Sequence, residues 1–163
     1  VRLPPATAKV VAGIFVAAAT TAAVTLIPEH EGVRYRAYPD PATRAEPWTI
    51  CYGHTRGVKR GDTAPPEQCV RWASEDAKAH GLDIARCVHV KVPHQSAVAF
   101  VSFAYNVGST NFCRSGLVRK LNAGDLRGAC DELPKWIYGA GKVMPGLVRR
   151  RADERAVCLS GLR

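Results

Sequence analysis

Glu31-Gly32-Val33-Arg34-Tyr35-Arg36-Ala37-Tyr38-Pro39-Asp40, continued by Trp48-Thr49-Ile50-Cys51-Tyr52-Gly53-His54-Thr55, is the stretch on which the reading of this chain turns. Val33 to Tyr38 and Trp48 to Tyr52 are rich in aromatic and β-branched residues, with a proline-bearing loop between them and Gly53 and Gly57 beyond, so they read as two short strands. Upstream lies an uncharged apolar run, residues 10–27, long enough for a helix that ends at Glu31. Downstream the pattern turns helical. One helix is expected to start near Thr63, tolerate Pro65 and Pro66 in its first turn, and stop at Gly81. A second runs from about His94 to Val107, with Ala97, Phe100, Val101, Ala104 and Tyr105 at helical spacing and Gly108 as its cap. Shorter helices fit residues 116–122 and 125–133, and a last one fits 146–159. A small sheet followed by helices gives an α+β class.

The length of 163 residues suits one core-bearing domain, and 47% hydrophobic residues exclude a disordered chain. Lys and Arg number 23 against 14 Asp and Glu, so the net charge is +9 and the natural partners are anionic. Nucleic acid is the weakest of these, because no groove-reading module appears. The run Arg149-Arg150-Arg151 sits in an apolar-periodic segment and reads as a solvated helix face. The six cysteines, at 51, 69, 87, 113, 130 and 158, include no C-x-x-C pair, so no metal site and no cofactor is expected. An even, dispersed set implies three disulfides and an oxidising compartment. Of fifteen possible pairings, Cys51–Cys69, Cys87–Cys113 and Cys130–Cys158 tie neighbouring elements together.

The apolar run is soft. Six Ala, three Thr and Gly13 make up ten of its eighteen residues, with Arg2 and Lys9 on the amino side and Glu29 after it. Its length is near the lower limit for spanning a bilayer, and the basic flank suits the cytoplasmic side. A cleaved signal peptide, a permanent anchor and a releasable anchor all fit. Alanine and threonine gain little from lipid, which favours release. The expected division is therefore an anchor helix over 1–28 and one globular domain over 29–163.

Glycosidic hydrolysis needs one carboxyl group that donates a proton and a second group that stabilises charge or activates water. Glu31, at a helix C-terminus where the dipole disfavours a carboxylate, is the candidate donor, with partial burial expected to act in the same direction. Asp40, nine residues on, is the candidate second carboxylate. Spacing alone leaves two surface carboxylates as the alternative.

The whole string closely resembles the phage-type lysozymes of glycoside hydrolase family 24, whose pattern is Glu-Gly, Tyr-x-Asp, then Thr-Ile-Gly-Tyr-Gly-His-Thr. The likeness continues through Ser102 to Gly108, Leu121 to Asp125 and Pro145 to Arg151, covering about residues 26–163. It implies a lysozyme-like fold, with a small antiparallel sheet in the amino-terminal lobe and a mainly helical carboxyl-terminal lobe. The implied activity is that of an endolysin muramidase cutting the β-1,4 bond between N-acetylmuramic acid and N-acetylglucosamine in peptidoglycan. Carried over by position, Glu31 is the general acid, Asp40 the charge-stabilising or water-holding group, and Thr49 the residue that orients the water. Thr49 lies farther from Asp40 than in the family pattern, the extra residues falling in Pro41 to Pro47, so Thr43 is a second choice. His54 reads as structural, paired with a carboxylate such as Asp76. Cys51 stands where the pattern has glycine. Tyr105, Asn106 and Trp136 are candidate sugar contacts, with core packing the alternative for the two aromatics.

The amino-terminal run also resembles a subclass whose signal-anchor helix leaves the membrane to activate the enzyme. It implies a protein, expected to be monomeric, held on the periplasmic side of the host inner membrane through residues 10–27 and then freed into the periplasm. No cysteine lies between Val1 and Ile50, so thiol exchange with the anchor is not the trigger. A lytic transglycosylase and a holin-like membrane-perturbing protein are the rival readings. Asp40 and Thr49 argue against the first, and the second leaves the Glu-Gly…Asp…Thr element unexplained.

Overall fold

The computed structural model describes residues 4–39 and 44–163. Helix α1 (Pro5–Val24) opens the chain and is followed after a break by α2 (Leu26–Glu31). Strands β1 (Arg34–Pro39) and β2 (Trp48–Cys51) form an antiparallel pair in which Tyr38 lies opposite Thr49 and Pro39 opposite Trp48. Helices α3 (Pro66–Ala85), α4 (His94–Val107), α5 (Ser109–Arg114), α6 (Gly116–Asn122) and α7 (Leu126–Cys130) follow. A short 3-10 turn over Leu133–Lys135 leads to the hairpin β3 (Tyr138–Gly139) and β4 (Lys142–Val143), and α8 (Pro145–Ser160) closes the fold.

Helix α4 is the hub. Every residue from Ser96 to Ala104 is buried, as expected of a helix covered on all sides, here chiefly by α1, α3 and α8. Its two serines satisfy themselves across the α8 interface: Ser96 Oγ donates to the Cys158 carbonyl at 2.8 Å and Ser102 Oγ to Glu154 at 2.8 Å. The expected boundaries of this helix, with Gly108 at its end in the left-handed region, match the structure.

The amino-terminal helix differs from its expected form in one respect. It does not run unbroken into Glu31 but bends at Thr25. Pro28 is the cause: it lacks the N–H that would bond the Val24 carbonyl, and its ring crowds that carbonyl. Below the bend α2 carries Leu26 and Ile27 into the core. Above it, Val11, Phe15, Ala18, Ala22 and their neighbours Ala19 and Ala23 are buried against α3 and α4.

The second correction concerns Gly81. The helix expected to stop there continues to Ala85. Gly81 is an interior residue whose missing side chain admits α1: a Cβ built on it would lie 2.9 Å from the Phe15 carbonyl oxygen. Backbone meets backbone at this point, and alanines on both sides keep the approach close.

Three disulfides join Cys51 to Cys69, Cys87 to Cys113 and Cys130 to Cys158, the connectivity read from the sequence. They fasten β2 to α3, the segment after α3 to α5, and α7 to α8. Loops of this length are each worth about 3 kcal/mol through the entropy removed from the unfolded chain.

The contrast between two glycines gives a test. Alanine normally stabilises a helix interior by about 1 kcal/mol over glycine, and Gly13 on α1 has open space around its Cβ position. Gly13→Ala should raise the unfolding temperature of the soluble protein, whereas Gly81→Ala should lower it because α1 must move. A rise for Gly81→Ala would contradict the close approach.

Candidate active site

Glu31 is the last residue of α2, and Gly32 ends that helix with a φ of 66°, turning the chain at once into β1. A left-handed residue at this place brings sheet and helix together at the carboxylate. From the other side comes the turn after β2, where Gly53, at φ 93°, places its Cβ direction 3.9 Å from Glu31 Oε2. Cys51, the last residue of β2, also has a positive φ, 59°. Glycine accepts that conformation freely; an L-residue pays roughly 1–2 kcal/mol.

The sheet end is fixed to α3 through His54. Its Nδ1 lies 2.6 Å from Asp76 Oδ2, its Nε2 lies 3.1 Å from the Arg56 carbonyl, and its ring stacks on Trp72 with centroids 4.5 Å apart. The pairing with Asp76 is the structural role expected for this histidine. Tyr105 ties the same turn to α4, its hydroxyl donating to the Tyr52 carbonyl at 2.8 Å. Burial is the main reason its phenol ionises far above the ordinary tyrosine range, so it serves as a neutral donor. Its tilted contact with His80 adds to the packing. Burial likewise holds His80 below the usual histidine value, against the pull of Asp76 and Asp83.

Glu31 is partly buried, as expected, and its partner is a guanidinium, Arg150 Nη1. The expectation for the arginine run is corrected: Arg149 is exposed, but Arg150 and Arg151 are 3% and 1% exposed. What the hydropathy pattern missed was the carboxylate that neutralises them. Glu154 lies one helical turn beyond Arg150 and Arg151, and it is fully buried against both. The signal was available in the spacing, since residues three and four apart share a helix face. Arg151 in turn donates to the Asn106 side chain and to the Trp136 carbonyl, with its guanidinium 4.7 Å from the Phe103 ring centre.

A cleft of about 340 Å³ lies over Glu31, lined by Glu29, His30, Asn106, Met144 and Arg150 among others. A second, of about 410 Å³, shares Asn106 and Leu147 with it and extends to Trp136 and Tyr138. Of the candidate sugar contacts, Asn106 is exposed between the two, and Trp136 lines the second while packing edge-on to Phe103 at 5.2 Å. Tyr105 faces a third hollow, with Gly53, Thr55 and His80. Thr49 is buried on β2. Asp40 and the second-choice Thr43 lie outside the described residues; Pro39, the residue before Asp40, pairs with Trp48, the residue before Thr49. Among the described residues no cluster of metal-ligating side chains occurs.

The chain matches the model of the phage lysozyme family over residues 28–154. It is 42% identical over 132 residues to a SAR-endolysin of Bacteriophage PS119, covering 80% of this chain and 77% of that protein. It is 37% identical over 166 residues to a SAR-endolysin of Enterobacteria phage PA-2, covering 98% of this chain and 99% of that one. Among solved structures it is similar to the muramidase domain of SpmX from Asticaccaulis excentricus, with a TM-score of 0.77, 30% identity, and coverage of 85% of this chain and 95% of that one. The α+β lysozyme-like architecture, the carboxylate at the helix–sheet junction and a family match over most of the chain lead to one conclusion: this protein belongs to the phage lysozyme family and is a glycoside hydrolase.

Proposed function

We propose that the chain is an endolysin that hydrolyses the β-1,4 bond between N-acetylmuramic acid and N-acetylglucosamine, with Glu31 as the general acid. The observation that carries this reading is the placement of Glu31 at the α2–β1 turn, open to a cleft and gripped by Arg150. In this scheme Glu31 protonates the glycosidic oxygen as the bond breaks. Asp40 stabilises the charge that develops on the sugar or holds the attacking water, and Thr49 orients that water. Asn106 and Trp136 contact the glycan, and the positive net charge keeps the protein near the anionic wall. No cofactor takes part in these steps.

Glu31→Gln retains the size and hydrogen-bonding reach of the side chain but removes the proton. It should reduce the clearing of purified cell wall by about 10²-fold or more while the protein stays folded. A loss of less than tenfold would exclude Glu31 as the acid. Asp40→Asn and Thr49→Ala should also be severe, and a larger loss in Thr43→Ala than in Thr49→Ala would reverse the choice between the two threonines. Hydrolysis predicts reducing muramic acid ends among the products, and anhydro ends would identify a transglycosylase instead.

We further propose that residues 10–27 hold the protein in the host inner membrane, facing the periplasm, until the helix leaves the lipid and docks as α1. Two features support this. The helix is long and apolar enough to cross a bilayer over residues 7–24, and a third of that window is buried within the fold. Lipid and the α3–α4 surface are thus alternative covers for the same side chains, and in the tethered protein Glu31 lacks the docked helix behind it. Ala8, Ala17 and Thr20 are exposed, off the buried stripe. Replacing them by leucine should strengthen anchoring by roughly 2 kcal/mol each and leave docking intact, so that the protein stays in the membrane fraction and cells remain unlysed. Release and lysis at the parental rate would rule the anchor out.

A further inference from the structure

We propose that Glu154 is a positioning residue that aims Arg150 at Glu31 and Arg151 at Asn106, so that one buried carboxylate sets both walls of the cleft. This rests on the reading of Glu31 as the acid, and it adds a residue that touches no substrate.

The geometry is over-determined at Arg150. Its Nε donates to Glu154 Oε1 at 3.0 Å and its Nη2 donates to the Ser102 carbonyl at 3.0 Å. A guanidinium is planar, so two fixed donors leave no rotation, and Nη1 must point at Glu31. The other oxygen of Glu154 takes Arg151 Nη1, and Arg151 Nη2 then reaches the Asn106 side chain. Glu154 itself is held by Ser102 Oγ at 2.8 Å. The glutamate is 0% exposed and the two arginines 3% and 1%, so no solvent competes for these bonds.

The charged groups facing Arg150 are Glu31 from α2 and Glu154 from its own helix. Arg151 feels the charges of Glu154, Arg150 and Glu31, beside the neutral Asn106 and the Trp136 carbonyl. Tyr105 on α4 is near enough for its ionisation to sense Glu31 and Arg150. Removing the Glu154 charge therefore leaves two buried guanidinium groups with Glu31 as their one carboxylate.

Glu154→Gln keeps the shape and one acceptor oxygen. We expect kcat on solubilised peptidoglycan to fall by about tenfold to a hundredfold with a smaller change in KM, the pattern of a displaced catalytic group. The alkaline limb of the pH–activity profile should move to lower pH by about one unit, because the unmatched positive charge favours the Glu31 carboxylate. Carboxyl carbon NMR, with the Glu31 resonance assigned by Glu31→Gln, should show its titration moving the same way. This readout does not depend on catalysis. A moved titration with an unmoved activity limb would support the positioning and count against Glu31 as the acid. An unmoved Glu31 titration in folded Glu154→Gln would overturn the positioning. Should that variant not fold, Glu154→Asp retains the buried charge but falls short of Arg150 Nε. It should lose kcat several-fold while its activity limb stays near the parental position. Parental kcat in Glu154→Asp would overturn the proposal.

Discussion

Burying a charge without a partner costs several kcal/mol, and the α4–α8 junction buries three charged side chains at once. Arg150, Arg151 and Glu154 are compatible with that site only together, each donor and acceptor being taken up by the others, by Ser102, by backbone carbonyls or by the cleft residues Glu31 and Asn106. The cluster thus forces agreement between elements far apart in sequence. Helix α8 must sit at the register that brings residues 150, 151 and 154 beneath α4. The 3-10 segment must end where the Trp136 carbonyl can accept from Arg151. Helix α2 must end with a carboxylate facing Arg150. A hydrophobic junction of the same volume would tolerate sliding by a fraction of a turn, and this one does not.

The amino-terminal helix obeys a looser rule. Its buried stripe is largely alanine, so it contributes little area per residue and derives its fit from close backbone approach at Gly81. Such a surface packs well against a matching groove and poorly against anything else. Thr21 Oγ1, 3.2 Å from His94 Nε2, links α1 to α4, and on α2 His30 Nε2 lies 3.4 Å from Asp153 of α8. The bend at Thr25 lets α1 and α2 follow different neighbours, α1 lying on α3 and α4 while α2 reaches α8 as well.

Much of this was legible in the sequence because the signals were local. The strand pair and the central helix with its glycine cap each follow from a few neighbouring residue types, and the even, dispersed set of cysteines marked a disulfide framework. Elements whose determinants lie elsewhere were not legible. Gly81 reads as a stop signal until α1 is laid across it. Arg150 and Arg151 read as solvent-facing until Glu154 and the serine of another helix are brought to them. Helix α5 follows α4 after a single glycine, so periodicity merges the two. The hairpin Tyr138–Gly139/Lys142–Val143 is too short for an alternating pattern to register. At the site, the family string marked Glu31, but nothing in it named the arginine that grips it.

All three disulfides fall between Cys51 and Cys158, and none reaches back to α1, α2 or β1. Oxidation therefore narrows the unfolded ensemble of the body of the protein while leaving its first fifty residues with their full chain freedom. The two parts differ in kind: one is committed by disulfides, the other is held to it by packing, hydrogen bonds and the Glu31–Arg150 ion pair. A protein built this way can present a finished receptor surface before the segment that completes it arrives. The piece carrying Glu31 is the one that no bond obliges to be in place.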